Sequence, residues 1–389
     1  MFANRTGWNT TPNRLSRLLQ ERRRGGRAVM DLTVSNPTAC KFVFQKEAIL
    51  SALSHTSALR YDPNPRGLAE AREAIQEYYA SQGILVSPEK LLLTTGTSEA
   101  YSHLFRLLAN PGDEVLSPVP SYPLFDFLAD VNDVQLKPYP LRYESGWRID
   151  FAALQSAITP RTRAILVVTP NNPTGSVLHR DELATLIKLA REHKLALIAD
   201  EVFSDYLWQT RQEHAGSLAS EEGCLTFTLN GLSKVAALPQ MKLGWIAANG
   251  PAAQREEALA RLEVIADTYL SVGTPVQAAA RVLLQTRASM QQQILARIRT
   301  NLDVLDEQLR QGSPCSRLCT EGGWYAVLRV PSTKTDEEWA LELLETEGVY
   351  VHPGHFFDFP SDGYLVVSLI TPEEDFALGA RRILETAAR

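Results

Sequence analysis

From residue 91 to residue 248 the chain alternates short, uninterrupted apolar runs with longer stretches whose apolar residues recur on one helical face. Residues 91–93 precede a segment in which Ala100, Tyr101, Leu104, Phe105 and Leu108 share a face. Val115-Leu116 leads into the turn Pro120-Ser121-Tyr122-Pro123, and residues 164–168 run into residues 169–175, followed by a helix carrying Leu183, Leu186, Ile187 and Ala190. Residues 195–199 end at Asp200-Glu201, and residues 225–229 and 243–248 read as two more buried strands with Lys234 on their connection. Apolar runs of this length, bounded by turn residues and separated by helices, predict strands buried on both faces. The expected fold class is therefore α/β, a mostly parallel sheet with helices on both sides.

In such sheets a ligand sits beyond the carboxyl ends of the strands. Polar residues gather at several of those ends here: Gly96-Thr97-Ser98, Tyr122, Asn172, Asp200 and Lys234. Each has an ordinary explanation by itself. Thr97, Ser98 and Asp200 are good helix caps, and Asn172-Pro173-Thr174-Gly175 is good turn chemistry. Most lysines are solvated surface residues. The set, in this order, is what singles the positions out.

Composition narrows the field further. With 389 residues, 44% of them hydrophobic, the chain is long enough for two or more domains. A formal net charge of -6 argues against nucleic acid as a partner, since phosphate binding needs a basic face. Cys40, Cys224, Cys315 and Cys319 are too scattered for a disulfide framework, and no second ligand pair stands at zinc spacing. They read as thiols in a reducing cytoplasm, with no metal site. No apolar run approaches the roughly 18 residues of a membrane span. Residues 1–29 are rich in Arg, Thr and Asn, as a transit peptide is. Leu15, Leu18 and Leu19 nevertheless fall at helical spacing before Gly25-Gly26, which predicts a surface helix or arm over residues 13–24.

Taken together, Ser35-Asn36-Pro37-Thr38, residues 61–67 (YDPNPRG), residues 95–100 (TGTSEA), Pro120-Ser121-Tyr122-Pro123, residues 171–175 (NNPTG), Asp200-Glu201-Val202-Phe203 and Ser233-Lys234 resemble the class I and II aminotransferases. These are fold-type-I enzymes that use pyridoxal 5′-phosphate (PLP), and the resemblance runs from Asp31 to about Pro372. The Rossmann and Walker A fingerprints are both absent. The resemblance implies a three-layer large domain over residues 47–275. A smaller α+β domain would comprise residues 276–389 together with the N-terminal arm and its continuation, residues 1–46.

It also implies roles. Lys234 would carry PLP as a Schiff base and, once freed, move a proton between the substrate carbon and the cofactor. Asp200 would pair with the pyridinium nitrogen, Asn172 would donate to the ring's phenolic oxygen, and Tyr122 would cover one ring face. Gly96, Thr97 and Ser98 at a helix start would bind the phosphate, aided by Lys242 and by Tyr61. In the family the residue matching Tyr61 comes from the neighbouring subunit, which implies a homodimer with shared sites. Amino-group transfer between an amino donor and an oxo acid is the leading function. A PLP-dependent lyase or decarboxylase on the same fold is the nearest rival, and a non-catalytic PLP-binding regulator stands behind it.

Four positions depart from the pattern. Phe203 replaces a tyrosine that donates to the phenolic oxygen, with Tyr206 as a possible substitute donor. Gly231 stands where a Ser or Thr often contacts the phosphate, and Lys242 replaces an Arg, losing the bidentate fork. Val366 stands where an Arg grips the substrate's α-carboxylate, and no Arg lies between Arg329 and Arg381. The expectation is a more weakly held carboxylate, with Asn172 and the backbone near Asn36 as its partners, or an amino donor that is not a simple α-amino acid.

Overall fold

The computed structural model covers residues 1–389. In chain order its strands are β1 (Met30–Asp31), β2 (Leu91–Thr94), β3 (Glu114–Val119), β4 (Gln135–Tyr143), β5 (Trp147–Ile149), β6 (Thr162–Val168) and β7 (Ala196–Asp200). They continue with β8 (Thr226–Gly231), β9 (Gly244–Asn249), β10 (Ser316–Arg317), β11 (Tyr325–Arg329), β12 (Val349–Tyr350), β13 (His352–Pro353) and β14 (Tyr364–Ser368). Eight of them form one sheet in the order β2-β9-β8-β7-β6-β3-β4-β5. The run β8-β7-β6-β3-β4 is parallel throughout, while β9 is antiparallel to both β8 and β2, and β5 is antiparallel to β4.

The apolar runs are buried on both faces because helices cover both. On one side Leu91, Leu93, Trp245 and Ala247 pack with Ile75, Tyr79 and Leu283 of helices Ala69–Ala80 and Thr274–Gln285. On the other, Leu92, Ile246, Phe227, Leu229, Ile198 and Leu166 pack with Leu104 and Phe105 of helix Thr97–Leu108 and Leu262 of helix Ala252–Tyr269. Each such side chain, fully withdrawn from water, contributes about 1.5–3 kcal/mol. A third cluster sets Ile165, Val167, Leu197 and Ala199 against Leu186 and Leu189 of helix Arg180–His193.

A second, antiparallel sheet in the order β10-β11-β14-β13 and the parallel pair β1-β12 lie outside the large one. Their core draws on Leu15 near the N-terminus, Ile294 and Ile298, and the C-terminal Phe376 and Ile383. Asn13 caps helix Arg14–Arg24 through its side chain, which accepts from Ser16 N, so the expected N-terminal helix is present.

Two stretches differ from their sequence reading, in which apolar spacing from Pro275 to Leu305 reads as one long helical stretch and Gly322-Gly323-Trp324-Tyr325 as a strand. The helical stretch after Pro275 is two helices, Thr274–Gln285 and Arg287–Leu309, parted at Thr286. Gly322-Gly323-Trp324 is not strand, and β11 begins only at Tyr325. The glycines explain this: Gly323 has φ +84, and a Cβ at Gly322 would stand 2.8 Å from Pro170 Cγ and 2.9 Å from Tyr206 O. That stretch is pressed against the large sheet's turns, with a single antiparallel bridge from Gly322 to Leu207. No helix is long and apolar enough to cross a membrane.

Candidate active site

Because β6, β7 and β8 are parallel, their carboxyl ends, at Val168, Asp200 and Gly231, share one edge of the sheet. Successive residues at a strand end point to opposite faces. Thus Asp200 and Glu201 diverge: Glu201 accepts from Leu218 N (2.6 Å) and Ser217 Oγ (2.6 Å), whereas Asp200 accepts from Tyr101 Oη–H at 2.8 Å and Val202 N at 3.1 Å. Asp200 is buried, which pushes its carboxyl up, against the opposing pull of Tyr101, the Val202 N–H and the charge of Lys234.

Lys234 lies in the single turn Leu232–Val235 that follows β8. Its Nζ is 4.7 Å from the centroid of the Trp324 ring and 5.5 Å from that of Phe203. Burial lowers the ammonium to about 8, and Asp200 opposes the shift. A lysine so placed is substantially neutral at mildly alkaline pH and is therefore a nucleophile and a proton acceptor.

Beside this pair, three backbone segments meet at glycines. A Cβ on Gly244 would lie 2.9 Å from Gly96 Cα, and one on Gly231 would lie 3.0 Å from Gly244 Cα. Gly96 immediately precedes helix Thr97–Leu108, whose first-turn N–H groups are free to meet an anion. Thr94, at the end of β2, is in register with Gly244, as is Gly231 at the end of β8. The loss of a hydroxyl at position 231 therefore has a structural reason, since β9 fills the space that a side chain would need. Lys242 is exposed, left-handed at φ 52, and forms no ion pair with the chain.

Asn172 is buried, and its Oδ1 has no partner within the chain. Tyr122 is 41% exposed, against Phe125 edge-on at 5.7 Å, so one of its faces is open. Tyr61 is 73% exposed. Asn36 caps a short turn, its Oδ1 accepting from Thr38 N (3.1 Å) and Thr38 Oγ1 (2.7 Å). Val366 is 1% exposed, paired between Val327 and His352 in the second sheet. Tyr206 is not a substitute for the missing phenol, because its hydroxyl donates to the Lys234 carbonyl at 2.7 Å.

Tyr101 and Trp324 escaped the sequence reading as site residues, and Tyr206 entered it only as a substitute donor to the cofactor. Tyr101 fits the apolar helical face, and only the contact with Asp200 reveals its polar end. Elsewhere, His179, His214 and Glu321 come together with ligand-like spacing. Their orientation suits hydrogen bonding instead: each ring turns Nδ1 toward an N–H donor, Arg148 for His179 and Arg211 N (3.4 Å) for His214. That leaves Nε2–H to face Glu321, which His214 reaches at 3.2 Å. They tie the turn before β11 to the large sheet.

The family model for aminotransferase class I and II matches residues 27–380. The chain belongs to the class I and II aminotransferases. It is 28% identical over 352 residues to the glutamate-pyruvate aminotransferase AlaA of Escherichia coli, covering 88% of this chain and 87% of that protein. With the aspartate/prephenate aminotransferase of Thermus thermophilus it shares 33% identity over 377 residues, 95% of this chain and 92% of the other. Among solved structures, the alanine aminotransferase of Pyrococcus furiosus superposes with a TM-score of 0.89 at 25% identity, all of each chain being covered.

As an aminotransferase of this family the protein is a PLP-dependent enzyme. Its residues fit that cofactor. The Asn172 side chain makes no hydrogen bond within the chain, which leaves its amide N–H free to donate, the Asp200 carboxylate lies near a depressed lysine, and the glycine cradle adjoins a helix N-terminus.

Proposed function

We propose that Lys234 holds the cofactor covalently and that Asp200 anchors its ring, the carrying observation being a half-buried lysine beside a buried carboxylate at the ends of β7 and β8. PLP supplies an aldehyde for the amine and a ring that takes up electron density. Asp200 keeps the ring nitrogen protonated, and Tyr101 holds that carboxylate in place. Asn172 donates to the phenolic oxygen, and the open face of Tyr122 covers the ring. The N–H groups of Gly96, Thr97 and Ser98 receive the phosphate, with Lys242 as a point charge and with Tyr61 of a second subunit reaching in. In that reading the protein is a homodimer, and the 73% exposure of Tyr61 in one chain supports it. The freed Lys234 amine, half of it neutral at about pH 8, takes and returns the proton at the substrate carbon.

The large sheet lies wholly within residues 91–249, which supports a large domain over residues 47–275 and a small one from residues 276–389 and 1–46. Four free thiols support a reducing, cytoplasmic setting. The amino donor is a small amino compound, as the name of the alanine aminotransferase of Mycobacterium bovis suggests. With Val366 buried in the Arg position, its carboxylate contributes less to binding than an ion pair would. Mixing the enzyme with L-alanine and no oxo acid tests the transfer reading. The expected result is stoichiometric pyruvate and an aminated cofactor that persists until an oxo acid is added. Release of carbon dioxide or ammonia with the cofactor returned unchanged would favour a decarboxylase or a lyase.

A further inference from the structure

We infer that Tyr206 is a positioning residue for Lys234, holding the lysine's peptide with its hydroxyl and the bed beneath the lysine's amine with its ring. The inference rests on the reading that Lys234 is the cofactor-bearing residue.

The turn that carries Lys234, Leu232–Val235, is four residues long. So short a helix cannot hold itself, because nucleation fixes several dihedral angles for one hydrogen bond. Its geometry must be imposed from outside. Two side chains from other segments reach its last carbonyls: Tyr206 Oη–H donates to Lys234 O at 2.7 Å, and Gln291 Nε2–H donates to Val235 O at 2.7 Å. Backbone support at the same oxygen is longer, Ala237 N standing 3.2 Å away. Tyr206 is fully buried, so this bond is shielded from competition by water.

The same residue controls the other end of the lysine. The Tyr206 ring meets Trp324 edge-on at 5.0 Å, and the Trp324 ring lies 4.7 Å from Lys234 Nζ. The backbone of Tyr206 is itself fixed on both sides, its N–H donating to Phe203 O and its carbonyl accepting from Gly323 N, each at 2.9 Å. Trp208 extends the seam, its N–H reaching Glu321 O at 2.9 Å and its Nε1–H reaching Gly323 O at 3.0 Å. One side chain thus joins the lysine's turn, the turn after β7 and the segment that opens β11.

The chemistry explains why this matters. The lysine side chain is flexible, yet its nitrogen must leave and return to the same atom in every turnover. Fixing its Cα and its resting surface reduces the search to a few rotamers, and misplacement by an ångström is expensive in rate. Phe203 has no hydroxyl to direct the amine, which leaves the aromatic bed and the tethered peptide as its guides.

The test compares the full-length enzyme with Tyr206→Phe, which removes one oxygen and keeps the ring on Trp324. In the cofactor-free protein, amide hydrogen exchange over residues 232–238 is expected to quicken about tenfold, with other segments unchanged. In the loaded enzyme the circular dichroism of the cofactor band should change and the rate of amino transfer from alanine should fall at least tenfold, with alanine affinity held within twofold. Incorporation of 4-aminophenylalanine at position 206, which restores a donor, should recover both. Exchange and cofactor dichroism identical to wild type would overturn the inference. So would a fall in melting temperature of more than about 10 °C, since a hydroxyl worth that much would be holding the fold and not the lysine's turn. Borohydride labelling is run on both proteins: label on another lysine in the wild type defeats the parent reading, whereas label on Lys234 in both with no other difference defeats only this one.

Discussion

Replacing Gly244 by alanine tests whether the glycine cradle is the phosphate site. The new Cβ would stand 2.9 Å from Gly96 Cα, 3.0 Å from Gly96 C and 3.2 Å from Asn230 O. Carbon atoms rest about 3.5–4.0 Å apart, so one backbone must retreat by roughly half an ångström or more. Gly244 is pinned by ladder pairing to Thr94 on one side and Gly231 on the other, whereas Gly96 lies in a turn, so the loop yields first. Overpacking of this kind costs about 1–3 kcal/mol. Borne by the loop that receives the phosphate, that is about a 5- to 150-fold rise in the dissociation constant for PLP. Equilibrium dialysis of the cofactor-free variant against PLP measures it, and pyridoxal, which lacks the phosphate, serves as the control. The expected result is weakened PLP with pyridoxal changed by less than threefold. PLP affinity within twofold of wild type, or equal loss for both compounds, would refute the reasoning.

Three further outcomes follow from the site. Phe203→Tyr restores a donor near Lys234 Nζ, so the pH at which the cofactor absorbance changes should fall; no change, or a rise, would contradict the account. Burial holds the Lys234 ammonium at about 8, so the reactive neutral amine grows as pH rises through that value; the rate of PLP uptake by the cofactor-free protein should have its midpoint there, and a midpoint near 10 would be inconsistent. Because a lost carboxylate partner is worth about 2–5 kcal/mol, alanine should outpace ethylamine in single-turnover amino transfer by less than about a hundredfold, and a ratio of a thousand or more would show that another group replaces the missing Arg at Val366.

Much of this was legible in the chain because the relevant signals are local. The runs at the heart of β6 and β7, residues 164–168 and 195–199, are apolar throughout, as a doubly covered strand tolerates, and the polar residues at the strand ends fell where parallel pairing gathers them. Lys234 and Asp200 were therefore placed by periodicity and topology together. What stayed hidden depends on contacts across long sequence separations. Tyr101 looks like a core aromatic until its hydroxyl is seen to reach Asp200, and Tyr206, read as a substitute donor to the cofactor, is found on Lys234 O instead. Gly231 reads as a missing hydroxyl until β9 is found pressed against it. The run 322–325 has strand composition at its end, but positive φ at Gly323 and the close approach of Gly322 to Pro170 delay β11 to Tyr325. The local bonds of Asn36 to Thr38, which cap a short turn, were also not read from the sequence.

The central claim is that Lys234, on its short turn above Trp324, is the residue that carries the cofactor. Borohydride reduction of the PLP-loaded enzyme, followed by proteolysis and peptide mass mapping, reads this directly. The account predicts one phosphopyridoxyl group per chain, on Lys234, and none in Lys234→Ala. Stoichiometric label on Lys242 or Lys194, or undiminished labelling of the alanine variant, would contradict it.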